Sequence, residues 1–180
     1  MTATAKALAE AGFRVARFEF GYMAGRRDGV RKPPPKAETV MPEFVAAVDD
    51  LGPTNGPLLI GGRSMGGRVA SMVADALFDA NRIAGLVCLG YPFHPPGRPT
   101  QLRTKHFGGL KTPALIVQGT RDQFGVPDEV KDYDLAGTIE VHWVEDGDHD
   151  LKPRKSVTGI GGAEALRQIA AKVKDWAAKL

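Results

Sequence analysis

The sequence predicts an α/β fold, a three-layer sandwich built on a mostly parallel sheet. Three observations carry that expectation. Short apolar runs of strand type alternate along the chain with amphipathic stretches of helical period, the pattern of a parallel sheet covered by helices on both faces. The run Ile83 to Leu89 is continuously apolar, as a strand buried on both faces must be. Finally, Pro57-Leu58-Leu59-Ile60-Gly61 runs through Gly62-Arg63-Ser64-Met65-Gly66 into a helical stretch with Val69, Val73 and Leu77 on one stripe.

Taken in order, Thr2 to Ala11 reads as a helix with Ala5, Leu8 and Ala9 inward, stopped by Gly12. Phe13 to Phe20 places Phe13, Val15, Phe18 and Phe20 among Arg and Glu, which predicts a strand. The segment Arg26 to Lys36 is basic and contains Pro33-Pro34-Pro35, so it reads as an extended, solvated loop, with anion steering as its alternative role. Pro42 suits the first turn of a helix carrying Phe44, Val45, Val48 and Leu51 and closed by Gly52. After the Ser64 turn and its helix come Ile83–Leu89, then a break at Tyr91-Pro92-Phe93-His94-Pro95-Pro96-Gly97. Ala114-Leu115-Ile116-Val117 is the next strand, ending at Gly119-Thr120-Arg121-Asp122, and a short helix around Pro127 to Tyr133 follows. Ile139 to Val144 alternates, so it belongs near a sheet edge. Ala163 to Leu180 closes the chain as an amphipathic helix. Its 180 residues predict one domain, 1–180, without internal repeats.

Composition excludes some classes. A net charge of +3 is too small to argue for nucleic acid, and no apolar run nears the roughly 20 residues of a membrane span. The N-terminus has no signal-peptide core. The one cysteine, Cys88, lies inside an apolar run and reads as a buried thiol in a reduced, cytoplasmic setting.

The chemistry is concentrated at strand ends, where open parallel sheets collect reactive groups. Gly62-Arg63-Ser64-Met65-Gly66 between strand and helix is the context of a nucleophile elbow, in which a tight turn lifts the serine hydroxyl above the sheet. A phosphate-binding loop is excluded because Gly67-Arg68 follows where Lys-Ser/Thr is needed, and the glycine spacing does not fit a dinucleotide fingerprint. Asp122 and His149 occupy later strand ends, giving the order Ser, acid, His. Serine needs a base to take its proton, and imidazole needs a carboxylate to fix its tautomer. Ser64 is thus the expected nucleophile, His149 the base and then acid, Asp122 the orienter, and the Met65 N–H an oxyanion donor. Asp146 and Asp148 compete with Asp122 but share the histidine's own loop. Asp146-Gly147-Asp148-His149-Asp150 does not have calcium-loop spacing and has no second nearby histidine, so neither metal nor cofactor is expected. His94, flanked by Pro92, Pro95 and Pro96, is expected to line the substrate pocket. Arg98, Arg103, Lys105, Lys152, Arg154 and Lys155 flank the expected mouth, which admits an anionic substrate.

The segments Phe18-Glu19-Phe20, Gly61 to Ala70, Leu89-Gly90-Tyr91-Pro92-Phe93-His94, Gln118 to Asp122 and Asp146 to His149 resemble α/β-hydrolases, more narrowly the small hydrolases related to dienelactone hydrolase. The resemblance implies an α/β-hydrolase sheet and hydrolysis of a small carboxylic ester or similar acyl substrate. The short stretch between Leu89 and Ala114 leaves no room for a cap domain. The chain also resembles hydrolase-like subunits of chromatin complexes, so a catalytically weak or inactive binding or scaffold protein is the alternative. In the family an apolar strand ending in a His-Gly turn precedes the first helix, lies between the counterparts of Phe13–Phe20 and Leu58–Gly61, and supplies a second oxyanion donor. Here the chain opens at Met1-Thr2-Ala3 without it. The expectations that follow are an N-terminally truncated fold, reduced activity, and self-association along the gap.

Overall fold

The computed structural model describes residues 2–25, 29 and 33–180; Arg26–Asp28 and Val30–Lys32 of the expected basic loop lie outside the described residues. The elements are α1 (Thr2–Glu10), α2 (Gly21–Ala24), α3 (Ala37–Asp50), β1 (Leu59–Arg63), α4 (Met65–Asp79), β2 (Gly85–Leu89), β3 (Ala114–Gly119), α5 (Pro127–Val130), β4 (Ile139–Val144), α6 (Lys155–Thr158) and α7 (Gly162–Ala177). The four-stranded sheet has the order β1-β2-β3-β4, and every neighbouring pair is parallel. All its strand ends that bear chemistry therefore face one side of the molecule.

Period-two alternation sorts the strand side chains into the two core layers. On β3, Ala114 and Ile116 join Val69, Val73 and Leu77 of α4 and Val40 and Phe44 of α3. Leu115 and Val117 point the other way, against Ile169, Val173 and Trp176 of α7. Every residue of β3 is buried, whereas β4, at the edge, is mostly half-buried. Residues 90–113 between β2 and β3 contain no helix or strand, so this connection builds no cap over the strand ends. Among the described residues no helix is long and apolar enough to cross a membrane.

Phe13–Phe20 is not a strand. No ladder joins it to the sheet among the described residues, and an extended segment becomes a strand only when a neighbour's backbone lies beside it. Side chains hold it instead. Phe13 packs into the layer of Leu8 and Leu59, and Phe20 into the layer of Phe44, so the segment crosses from one core layer to the other. Phe18 stays 45% exposed, edge-on to Phe20 and Phe44. Pro42 also differs from expectation: α3 starts at Ala37, which places the proline inside the helix. The turn before it survives because Ala37 and Val40 are buried, and that burial outweighs the lost N–H donor.

Candidate active site

Ser64 stands between β1 and α4 with φ 51° and ψ −117°, a left-handed backbone that costs a non-glycine residue about 1–3 kcal/mol. Its N–H still reaches across to the Leu89 carbonyl at 3.1 Å, so the turn is tied to β2. The glycines around it have unequal roles. A Cβ on Gly62 would lie 2.6 Å from the Gly66 carbonyl carbon, and one on Gly67 2.8 Å from the Gly62 oxygen. A Cβ on Gly66, the last glycine of the elbow pattern, would meet nothing within 4 Å; the close approach of strand and helix is made by Gly67. The first N–H groups of α4, which begins at Met65 directly after Ser64, have no partner inside the helix.

The structure brings Ser64, Asp122 and His149 together. His149 Nε2 is 2.9 Å from Ser64 Oγ, and His149 Nδ1 is 2.8 Å from Asp122 Oδ2. The carboxylate accepts from Nδ1–H, which leaves Nε2 free to accept the serine proton. Asp122 is fully buried, and its two oxygens are both engaged. Oδ1 accepts from the Phe124 N–H at 3.0 Å, while Oδ2 accepts from the Gln118 side-chain amide at 2.9 Å as well as from His149. Phe124 lies over the imidazole with ring centroids 4.3 Å apart. A shallow depression of about 320 Å³ opens here, lined by Arg121, Gln123, Asp148, His149 and Asp150. A larger hollow of about 480 Å³, near Val48, Leu58 and Ala84, lies at the opposite end of the strands.

The competing carboxylates have other tasks. Asp148 Oδ1 accepts from the N–H groups of Asp150 and Lys152 in a local turn. Asp146 is gripped by Arg154, through its backbone N–H at 2.8 Å and its guanidinium, and by Arg121 at 2.9 Å. Hydrogen bonds from Arg154, with the Arg121 charge in support, hold the Asp146 carboxyl well below the usual carboxylate range. These bonds tie the loop before His149 to the loop after β3. Arg63 forms an ion pair with Asp150 just beyond the histidine, and Gly90 gives the histidine loop room, since a Cβ there would meet the His149 carbonyl at 2.6 Å.

His94 does not line the depression. Its side chain is buried, with Nδ1 2.8 Å from the Pro95 carbonyl and Nε2 3.1 Å from Glu129. Both ring nitrogens are committed, Nδ1 within its own loop to Pro95 and Nε2 across to Glu129 of α5, so none is left for a substrate. Cys88 is buried, and its thiol is pushed far up by desolvation.

Sequence reasoning missed Gln118 and Phe124, and it weighed Asp146 as a competing acid rather than as the anchor of Arg121 and Arg154. Gln118 had a readable signal, a lone amide at the end of an otherwise apolar strand. Its Oε1 accepts from the Tyr91 N–H at 2.7 Å, so one fully buried amide links the loop after β2 to Asp122. The roles of Phe124 and Asp146 depend on tertiary neighbours and left no mark in spacing.

A parallel sheet with a serine on a strained strand-to-helix turn, backed by histidine and aspartate from later strand ends, defines the class of hydrolases with this architecture. A family model described as an alpha/beta hydrolase domain matches residues 1–178, and the chain belongs to that family of enzymes. Similar solved structures include the esterase domain of a Rhodothermus marinus protein, with 15% identity, 99% of this chain and 79% of that chain covered, and a TM-score of 0.68. An alpha-beta serine hydrolase homologue from Coxiella burnetii is 20% identical over 96% of this chain and 74% of its own, with a TM-score of 0.63. A monoacylglycerol lipase from Paleococcus ferrophilus is 16% identical over 96% and 88%, with a TM-score of 0.60. At these identities the likeness is one of fold.

Proposed function

We propose that the protein is a serine hydrolase that cleaves a small carboxylic ester or similar acyl substrate through an acyl-enzyme. The observation that carries this reading is the continuous hydrogen-bonded chain from Ser64 Oγ through His149 to the buried Asp122. His149 Nε2 takes the hydroxyl proton as Ser64 Oγ attacks the carbonyl carbon. The Met65 N–H and the positive end of α4 meet the oxyanion. Collapse of the tetrahedral intermediate breaks the ester C–O bond, and His149 returns the proton to the departing alkoxide. Water, deprotonated by the same nitrogen, then releases the acid and restores Ser64. The β2–β3 connection, which builds no cap, and the resemblance to dienelactone-hydrolase-like enzymes support a small substrate. A cytoplasmic setting fits the single buried thiol.

A fluorophosphonate probe tests the assignment: it is expected to label Ser64 and to leave the Ser64→Ala protein unlabelled. Labelling at another residue that survives this change would refute it.

One observation favours a second reading, a weak or inactive hydrolase-like binding protein. Among the described residues β1 has no strand on its outer side, and Met65 is the one oxyanion donor that the elbow itself supplies. Absence of a single donor typically costs about 10²–10³ in kcat. An outer edge of this kind is also a template for pairing, and self-association along β1 belongs to this reading. Slow probe labelling with a concentration-dependent sedimentation coefficient is its signature; fast labelling of a monomer excludes it.

A further inference from the structure

Beside the elbow lies a cationic cluster that the hydrolytic chain does not use. Arg68 sits one turn into α4, its N–H donating to the Ser64 carbonyl at 3.0 Å. Its Nε is buried with no hydrogen-bond partner among the described residues. The carboxylate within ion-pair reach is Glu38, at 3.7 Å and 58% exposed. Arg103 approaches from the loop after β2. Its backbone is pinned on both sides, the N–H to the Phe93 carbonyl at 2.7 Å and the carbonyl to the Tyr91 hydroxyl at 2.9 Å. No carboxylate pairs with its guanidinium among the described residues, and burial together with the Arg68 charge pushes its pKa down.

His106 completes the group. Burial first, and then Arg68, lowers its pKa, so the ring is neutral. Its Nε2 is 2.8 Å from Ser71 Oγ, whose own proton goes to the Arg68 carbonyl at 2.7 Å, so Nε2 is the donor. Arg68 and Arg103 therefore repel one another in partly desolvated ground, with a neutral imidazole beside them. The other basic residues near the site differ: Arg154 is held by Asp146, and Lys152 reaches Asp150. Cations gathered against their own repulsion, one turn from a nucleophile, are a receptor for an anion.

We propose that Arg68 and Arg103 form a carboxylate-binding subsite, and that the substrate is an ester carrying a free carboxylate a short distance from the scissile carbonyl. Arg68 stands one helical turn from Ser64, a separation on the scale of the half-ester of a short dicarboxylic acid. This substrate class rests on the reading of Ser64 as nucleophile.

The test compares kcat/KM for p-nitrophenyl hemisuccinate and p-nitrophenyl butyrate. The expected ratio favours the anionic ester and falls by about tenfold or more in both Arg68→Met and Arg103→Met, the loss of a charged hydrogen bond. Arg103→Lys is expected to fall between, because it keeps the charge and loses the fork. A ratio that stays within about twofold in Arg68→Met and Arg103→Met, given that such a contact is worth tenfold, overturns the subsite. A second arm needs no turnover: succinate is expected to raise the unfolding temperature of the Ser64→Ala protein, and the effect to vanish when Arg103→Met is added. No succinate effect in Ser64→Ala overturns the subsite, while failed probe labelling of Ser64 alongside a clear succinate effect overturns only the hydrolase reading.

Discussion

Replacing Asp122 with asparagine is the most demanding perturbation of this site, because every atom of the carboxylate is already engaged. Oδ2 accepts from His149 Nδ1 and Gln118 Nε2, and Oδ1 accepts from the Phe124 N–H. An amide has one oxygen to offer. If that oxygen faces His149 and Gln118, the new NH₂ meets the Phe124 donor. In the flipped orientation the NH₂ meets two donors, and the imidazole can accept only by moving its proton to Nε2, the atom that must receive the Ser64 proton. Either orientation leaves at least one buried donor unpaired, a stability cost of about 1–3 kcal/mol. The flipped one relieves its conflict by adopting the wrong tautomer, and in a serine protease that change lowers kcat by about 10⁴. We expect a loss of that order in kcat/KM on a p-nitrophenyl ester, equivalent to about 5.5 kcal/mol of barrier, with circular dichroism unchanged. Asp122→Asn activity within about tenfold of the parent, far short of the tautomer penalty, would refute the reasoning. So would a larger loss from Asp148→Asn.

Three further outcomes follow from the same geometry. Gln118→Met keeps volume but strands the Tyr91 N–H and removes one donor from Asp122; kcat is expected to fall by about 10–100-fold, the equivalent of one unpaired buried group, with KM little changed in steady-state kinetics. Ser64→Gly relieves the left-handed backbone, so urea unfolding is expected to show a gain of about 1–2 kcal/mol while probe labelling disappears. Asp146 has a folded pKa below its unfolded one, so its contribution to stability is full above about pH 4 and is lost as pH falls below that value. The stability gap between the parent and Asp146→Asn, followed by denaturant titration, is expected to narrow on acidification across that range.

Much of the fold and of the candidate site was legible because the relevant signals are local. Ile83–Leu89 and Ala114–Val117 are apolar on both alternations, and the structure buries them on both faces. The serine turn carries its own glycines, and the order Ser64, Asp122, His149 can be read without coordinates. What failed depends on partners distant in sequence. Phe13–Phe20 has the composition of a strand, but strand formation needs a neighbouring edge that composition does not report. The substrate role expected of His94 was lost to Glu129, which lies 35 residues away and takes the ring inward. The choice of Gly67 over Gly66 as the contact glycine depends on how α4 leaves the turn, a matter of angle that the five-residue pattern does not encode.

The strand order has a consequence for how the molecule becomes active during folding. Because β1, β2, β3 and β4 lie side by side in chain order, an assembly of the first three can position Ser64 and hold Asp122 through Gln118. His149, 85 residues from Ser64 and 27 from Asp122, arrives only when the edge strand β4 docks. Closure of that long loop is entropically the late step. Edge elements also open most readily in the native state. The base therefore sits beside one edge of the sheet and the nucleophile beside the other, β1, and recovery of catalytic competence on refolding requires both edges to be docked, not the collapse of the core alone.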